Sequence, residues 1–422
     1  MLLDDDSTGA QAAAHVPVVL RPTPAALHVA TAGNACYVVT NSRARSPSDA
    51  AAVTGEAAAS VLAEIPSARL ALRGDSTLRG HFLEEHDAVC HARGWANAPA
   101  VLVPALPSAG RVTRNGVHYL LVDGDRVPVG ETEFARDPYL GYGDSHLLEW
   151  AESRSNGRFR AADGAVIDLA ALRRPDAEST IASAIDAAAR GPRSSCVAVD
   201  AETDNDVDEI ARGIDLAWAH GIEFVPRCGP ALAAALAHAR AESFAEVPVA
   251  RRLVVLCGSF VDRTTRQLAH LLDDHPGTLI EVDVDAARAE PVAEGRRLAA
   301  RARSLLARGS IAVVATPRVD AYGHAGRVAG DRLTAALATV ADALVDEIDL
   351  LVLKGGATSA SIVASGLGAD VVDVVGPVGH GASLWSVPFG GRQLPTIVAP
   401  GNVGEHDALS DLVARARGVV AC

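Results

Sequence analysis

Leu350-Leu351-Val352-Leu353-Lys354-Gly355-Gly356-Ala357-Thr358-Ser359 carries the decisive signal for fold class. Four consecutive apolar residues without polar alternation suit a strand covered on both faces. The paired glycines let the backbone turn tightly and approach a ligand, and small residues then open a helix. Strand, glycine turn and helix together form the repeating unit of an α/β protein built on a parallel sheet.

The unit recurs on both sides of this stretch. Strands are predicted at Tyr37 to Thr40, Leu70 to Leu72, Ala100 to Val103 and Cys196 to Val199, with helices over 48–64 and 207–220. After residue 246 the pattern restarts, with strands at Leu253 to Cys257, Ile311 to Ala315, Val371 to Val375 and Thr396 to Ala399. Apolar residues spaced three to five apart predict a core-facing helix over about 327–346. We therefore expect an α/β protein of two domains, 1–246 and 247–422, each a mostly parallel sheet with flanking helices. Residues 123–165, rich in Gly, Asp, Arg and Ser, read as long loops of the first domain.

Composition narrows the function. A chain of 422 residues with 49% hydrophobic and 21% charged residues is an ordinary globular protein. A formal net charge of -14 argues against a nucleic-acid partner, whose binding needs clustered positive charge. The chain holds one lysine, Lys354, so its cations are almost all arginines, whose guanidinium forks suit carboxylates and phosphates. Biased base composition explains that preference equally well. The six cysteines form no CxxC pair and there is no long apolar run, and a soluble cytoplasmic protein without a secretory leader is expected.

Polar chemistry gathers in turns after the predicted strands, where α/β proteins bind ligands. Asp4-Asp5-Asp6-Ser7-Thr8-Gly9 crowds carboxylates that call for a cation or a donor-rich ligand such as a polyhydroxylated acid. A solvated acidic start with Ser7 or Thr8 capping a helix is the alternative. In Arg73-Gly74-Asp75-Ser76-Thr77-Leu78-Arg79-Gly80, Arg73 and Arg79 can grip a carboxylate while Asp75 and Ser76 face hydroxyls. Arg111 and Thr113 add to this rim, and residues 131–138 either close over it or pack as a loop.

In the second half, Gly258-Ser259 precedes a helix capped by Asp262 or Thr264, and Pro400-Gly401-Asn402-Val403-Gly404 forms a third glycine-rich turn. Ser259, Gly355, Gly356, Ala357, Thr358, Gly401 and Asn402 are the candidate nucleotide-binding residues. Neither a Walker A loop nor a GxGxxG fingerprint is present.

DDSTGA at 5–10, RGDSTLRG at 73–80, PALPSAGRVTRNGVHY at 104–119, TEFARDP at 132–138, GS at 258–259, GGATS at 355–359 and PGNVGEHDA at 400–408 resemble the four-carbon acid sugar kinase family over nearly the whole chain. The resemblance implies an N-terminal sugar-acid domain, a C-terminal nucleotide domain, an active site in the interdomain cleft, and ATP-dependent phosphorylation of threonate, erythronate or 3-oxo-tetronate. It assigns sugar-acid contacts to Asp5, Asp6, Arg73, Asp75, Ser76 and Arg111. We expect Asp6 or Asp75 to orient or deprotonate the attacking hydroxyl, with ATP and Mg2+ required and metal ligands unassigned. The chain departs from the family pattern in a short start before the carboxylates, in Ala357 for an acidic residue, in Ala399-Pro400 for a lysine, and in His81 for asparagine. An NAD-dependent sugar-acid dehydrogenase and a catalytically weakened acid-binding protein are the alternative readings; oligomeric state is left open.

Overall fold

The computed structural model describes residues 1–31, 33–122, 124–317, 326–401 and 403–419. The chain divides into two compact units, Met1–Arg240 and Ala241–Cys422.

In the first unit, eight strands run parallel: Leu2–Asp4 (β1), Val16–Val19 (β2), Tyr37–Val39 (β3), Ala71–Arg73 (β4), Ala100–Val103 (β5), and, after three strands of a side sheet, Ala165–Ile167 (β9), Cys196–Val199 (β10) and Val225–Cys228 (β11). Their spatial order is β2-β3-β1-β4-β11-β5-β10-β9. Strands β5 and β10 are buried at every residue, which explains their uninterrupted apolar runs. Helices Pro47–Glu64, Phe82–Arg93, Ala177–Ala189 and Asp204–Ala219 belong to the same unit. The last begins with a reciprocal capping box between Thr203 and Asp206.

The side sheet consists of Arg111–Arg114 (β6), Val117–Val122 (β7) and Asp125–Pro128 (β8), paired antiparallel. The segment 123–165 is thus more structured than its composition predicts: it contains β8, helix Leu147–Arg154 and three 3-10 turns. Leu147, Leu148, Trp150 and Ala151 of that helix join Phe82 and Phe159 in a core cluster. A helix of only eight residues gives too short a periodic signal to stand out in the sequence.

The second unit contains Leu253–Cys257 (β12), Leu279–Glu281 (β13), Ala312–Ala315 (β14), Leu350–Lys354 (β15), Val371–Gly379 (β16), Ala382–Phe389 (β17) and Arg392–Ala399 (β18), in the order β13-β14-β12-β15-β18-β17-β16. The first five of these neighbours pair in parallel, and β18, β17 and β16 pair antiparallel. Two-residue turns join the antiparallel strands. His380 and Gly381 have φ of 52° and 68°, and Gly390 and Gly391 have 53° and 80°, the left-handed conformations that such hairpins need. The predicted core helix is Gly326–Leu344. No helix among the described residues is long and apolar enough to cross a membrane.

Candidate active site

In the first unit the ends of β1, β3, β4, β11 and β5 are neighbours, and their following turns bring together a dense network of charges. Asp4 and Asp5 are only 1% and 2% exposed. Arg73 Nη1 donates to Asp4 Oδ1 at 3.0 Å and to Asp5 Oδ1 at 3.2 Å. Itself 4% exposed, Arg73 spends its charge on the protein's own carboxylates, not at an open rim. From the turn after β3, Arg43 forks onto Asp5, through Nε to Oδ2 at 3.0 Å and Nη2 to Oδ1, and reaches Asp6 Oδ2 from Nη1 at 3.2 Å.

Asp6 is the most open of the three acidic residues, with a side chain 25% exposed. The Thr8 backbone N–H and hydroxyl both donate to its Oδ1 at 2.9 Å. Thr8 therefore serves the carboxylate and makes no side-chain cap to the short turn that follows. Gly9 is required here for a steric reason: a Cβ at that position would overlap the Asp4 carboxylate.

Environment separates the acids electrically. Burial pushes the Asp4 carboxyl up to about 7 despite Arg73. Burial opposes ionisation of Asp6 as well, but Arg43 and Arg73 outweigh it and hold that carboxyl below its ordinary value. For Asp75, burial is overcome by Arg79 and Arg43, with help from the Thr77 hydroxyl, so this carboxylate stays well below the usual range. Arg79 Nε donates to Asp75 Oδ2 at 2.7 Å, and Arg43 Nη1 lies 3.9 Å from Asp75 Oδ1. Asp75 is thus a fixed acceptor and a poor base near neutral pH.

Ser76 and Arg111 also meet, since Arg111 Nη1 donates to Ser76 Oγ at 2.9 Å. Buried His118 braces the loop: its Nε2 lies 2.9 Å from the Ser76 carbonyl and its Nδ1 2.9 Å from Thr113 Oγ1. A carbonyl only accepts, so Nε2 carries the proton and Nδ1 accepts from the threonine. Burial lowers this imidazole to about 4, in keeping with a neutral ring. The 131–138 segment lies against the same arginines, with the Arg79 and Arg111 guanidinium carbons 5.2 Å and 5.8 Å from the Phe134 ring centre. Leu78 holds a φ of 64° in this loop, kept there by burial of its side chain with Phe82, Leu147 and Trp150.

Two participants were not read from the sequence. Arg43 follows β3 in an Asn-Ser-Arg turn, and its position at a strand end was the available signal. Arg227 sits in β11, a strand the apolar pattern did not reveal because Pro226 and Arg227 interrupt it. Its Nη1 donates to buried Glu85 Oε2 at 2.5 Å, while Nη2 is buried with no partner among the described residues. A Cβ on Gly74 or Gly80 would come within 3.1 Å or 2.7 Å of that Nη2, so both glycines make room for the guanidinium.

In the second unit β12, β15 and β18 lie side by side, and the turns that follow them converge. Gly355 has a φ of 117°, and its Cβ would lie 3.1 Å from Ser259 Cβ. A Cβ on Gly401 would stand 2.4 Å from Ser259 Oγ, and one on Gly258 would stand 2.5 Å from Thr358 Cγ2. Thr264, expected as a helix cap, instead donates its hydroxyl to the Gly401 carbonyl at 2.7 Å and lies 3.0 Å from Ser259 Oγ, which can donate to it. Helix Asp262–Asp274 starts after Val261 with no side-chain cap. Gly356, Ala357 and Thr358 form the first turn of helix Gly356–Ser361, with Ala357 exposed. Asn402 lies outside the described residues.

Residues 1–236 match the model of a sugar-binding N-terminal domain, and residues 253–409 that of a nucleotide-binding C-terminal domain. A D-threonate kinase from Bordetella bronchiseptica is 34% identical over 337 residues, covering 74% of this chain and 76% of that protein. The chain belongs to the four-carbon acid sugar kinase family. Among solved structures, a Salmonella typhimurium LT2 protein superposes with a TM-score of 0.69 at 19% identity, over 99% of this chain and 98% of that one. A Haemophilus influenzae protein does so with a TM-score of 0.62 at 18% identity, over 99% of both. At such identities these two likenesses describe the fold alone.

One of the departures from the kinase family pattern has a structural account. His81, 4% exposed at the start of helix Phe82–Arg93, places Nε2 3.0 Å from the Arg45 carbonyl and so ties the loops after β3 and β4 together. Nothing in the structure explains Ala357.

Proposed function

We propose that this chain transfers the γ-phosphoryl group of ATP to a hydroxyl of a four-carbon sugar acid of the threonate or erythronate type, with 3-oxo-tetronate as the oxidised variant. The observation that carries this reading is the network around Asp5, Asp6 and Asp75, in which arginines pair with all three carboxylates and hold Asp6 and Asp75 ionised at strand ends of the sugar-binding unit. Ionised carboxylates accept hydrogen bonds from the hydroxyls of a polyhydroxylated acid, and Arg79 and Arg111 offer charge to its carboxylate. Asp5 and Arg73 brace this constellation from below, and Ser76 adds a hydroxyl.

Asp6, open and fixed by Thr8, accepts the hydrogen of the attacking hydroxyl, and Asp75 aligns the acid. Both are held ionised, so their contribution is orientation more than proton removal, as phosphoryl transfer requires. Ser259, the Gly355 to Thr358 turn and Gly401 receive the phosphates in the second unit, where glycine lets the three turns pack against one another. Among the described residues no group of three or more His, Cys, Asp or Glu side chains is placed to hold a metal. The magnesium ion that accompanies ATP would neutralise phosphate charge.

An ADP-release assay across D- and L-threonate, the erythronates and their oxo forms tests the proposal. Saturable, acid-dependent ADP release with at least one of them is expected; none with any acid, in protein shown to be folded, removes the reading.

A further inference from the structure

The second unit contains a group that the family resemblance leaves unassigned. Lys354, the only lysine in the chain, is the last residue of β15, in register with Cys257 of β12 and Ala399 of β18. It is 3% exposed, and its ammonium donates to the Pro400 carbonyl. The next residue, Gly401, lies against Ser259 Oγ and is held by Thr264. The ammonium therefore sits within the junction of the three glycine turns.

An ammonium has three hydrogens to donate, and one carbonyl uses one of them. Among the described residues Lys354 has no carboxylate partner, and a buried cation without an anion is costly. The charged group reaching it from helix Asp262–Asp274 is Arg263, which adds to the repulsion; from β12 comes the Cys257 thiol.

We infer that Lys354 is the nucleotide-phosphate cation of this protein, its ammonium parked on the Pro400 carbonyl and donating to a phosphate oxygen when a triphosphate enters the three turns. The inference rests on the proposed nucleotide role of those turns. Burial lowers the amine to about 8, Cys257 opposing and Arg263 adding to the shift, so the ammonium holds its proton weakly. An incoming polyanion favours the charged form and raises that value. The proton balance follows: above about pH 8 binding must take up a proton from solvent, and affinity falls as pH rises from there until the bound-state value is passed.

Because there is one lysine, protein grown with 13C,15N-lysine gives a single side-chain signal. That signal is titrated with pH in the wild-type protein, alone and saturated with ADP and with a non-hydrolysable ATP analogue, while calorimetry records binding. The expected result is a rise of at least one pH unit in the Lys354 midpoint with the ATP analogue. Lys354→Arg should keep its affinity at pH 9, whereas Lys354→Met should lose tenfold or more at pH 7. If the analogue binds and the midpoint stays in place, Lys354 is only a structural clip and the inference fails while the nucleotide reading survives. If neither nucleotide binds the folded protein, both fail.

Discussion

Asp75 and Asp4 are both buried carboxylates near arginine, yet their surroundings drive them in opposite directions. Asp75 has two guanidinium groups and a threonine hydroxyl, which overcome the cost of burial. Removing its charge while keeping its shape should leave the fold intact and misplace the acid: Asp75→Asn is expected to lower kcat about a hundredfold while changing the Kd for ADP less than about twofold. Steady-state kinetics with calorimetry checks this, and unchanged kcat removes Asp75 from the role.

For Asp4 the sign is reversed. Its folded value of about 7 exceeds the ordinary carboxylate value, so the folded state binds the proton more tightly than the unfolded chain does. Asp4 thus costs nothing below about pH 4, costs progressively more as pH rises to about 7, and its penalty is constant above that, at an upper limit of about 4 kcal/mol. Urea unfolding of the wild type and Asp4→Asn should show the wild type losing stability relative to the variant between pH 5 and 7, with no further relative change at pH 8. A relative gain over that interval contradicts the assignment.

At the level of elements, the second unit depends on three turns packed so closely that glycine is the residue that fits. Gly401→Ala would drive a methyl group into Ser259 Oγ. Overpacking of this kind costs about 1–3 kcal/mol and should lower Tm by several degrees. Adding Ser259→Gly deletes the atom that is struck, so the double variant should regain most of the lost Tm, as read by calorimetric melting. Equal melting of Gly401→Ala and the double variant would show that the turns are looser than described. The hairpins joining β16, β17 and β18 follow a different rule: their alternating burial and left-handed turn residues make them legible from His380-Gly381 and Gly390-Gly391, a signal the parallel-sheet reading passed over.

At the level of the whole molecule, the residues proposed for the sugar acid and those proposed for the nucleotide belong to separate compact units. Binding of the two ligands should therefore respond separately to substitution. Arg111→Met is expected to weaken acid binding tenfold or more and to leave the Kd for ADP within about twofold, with the converse for Gly401→Ala. Calorimetry with each ligand alone decides it; parallel loss of both ligands in either variant would contradict the division of labour.

The sequence by itself determined the α/β class, the restart of the pattern near residue 246, and the loops that carry the polar chemistry. Uninterrupted apolar runs such as Ala100 to Val103 and Leu350 to Leu353, each ending in a polar or glycine turn, are local signals, because a strand buried on both faces has no polar side to write. The pairing of charges was decided by tertiary structure alone. Which carboxylate Arg73 neutralises, that Arg43 joins from another strand end, that Arg227 threads between Gly74 and Gly80, and that Lys354 meets Pro400 all depend on which strands lie side by side. The strand order β3-β1-β4-β11-β5 is not the chain order, and electrostatic partners are set by distance in space, to which spacing along the chain gives no access.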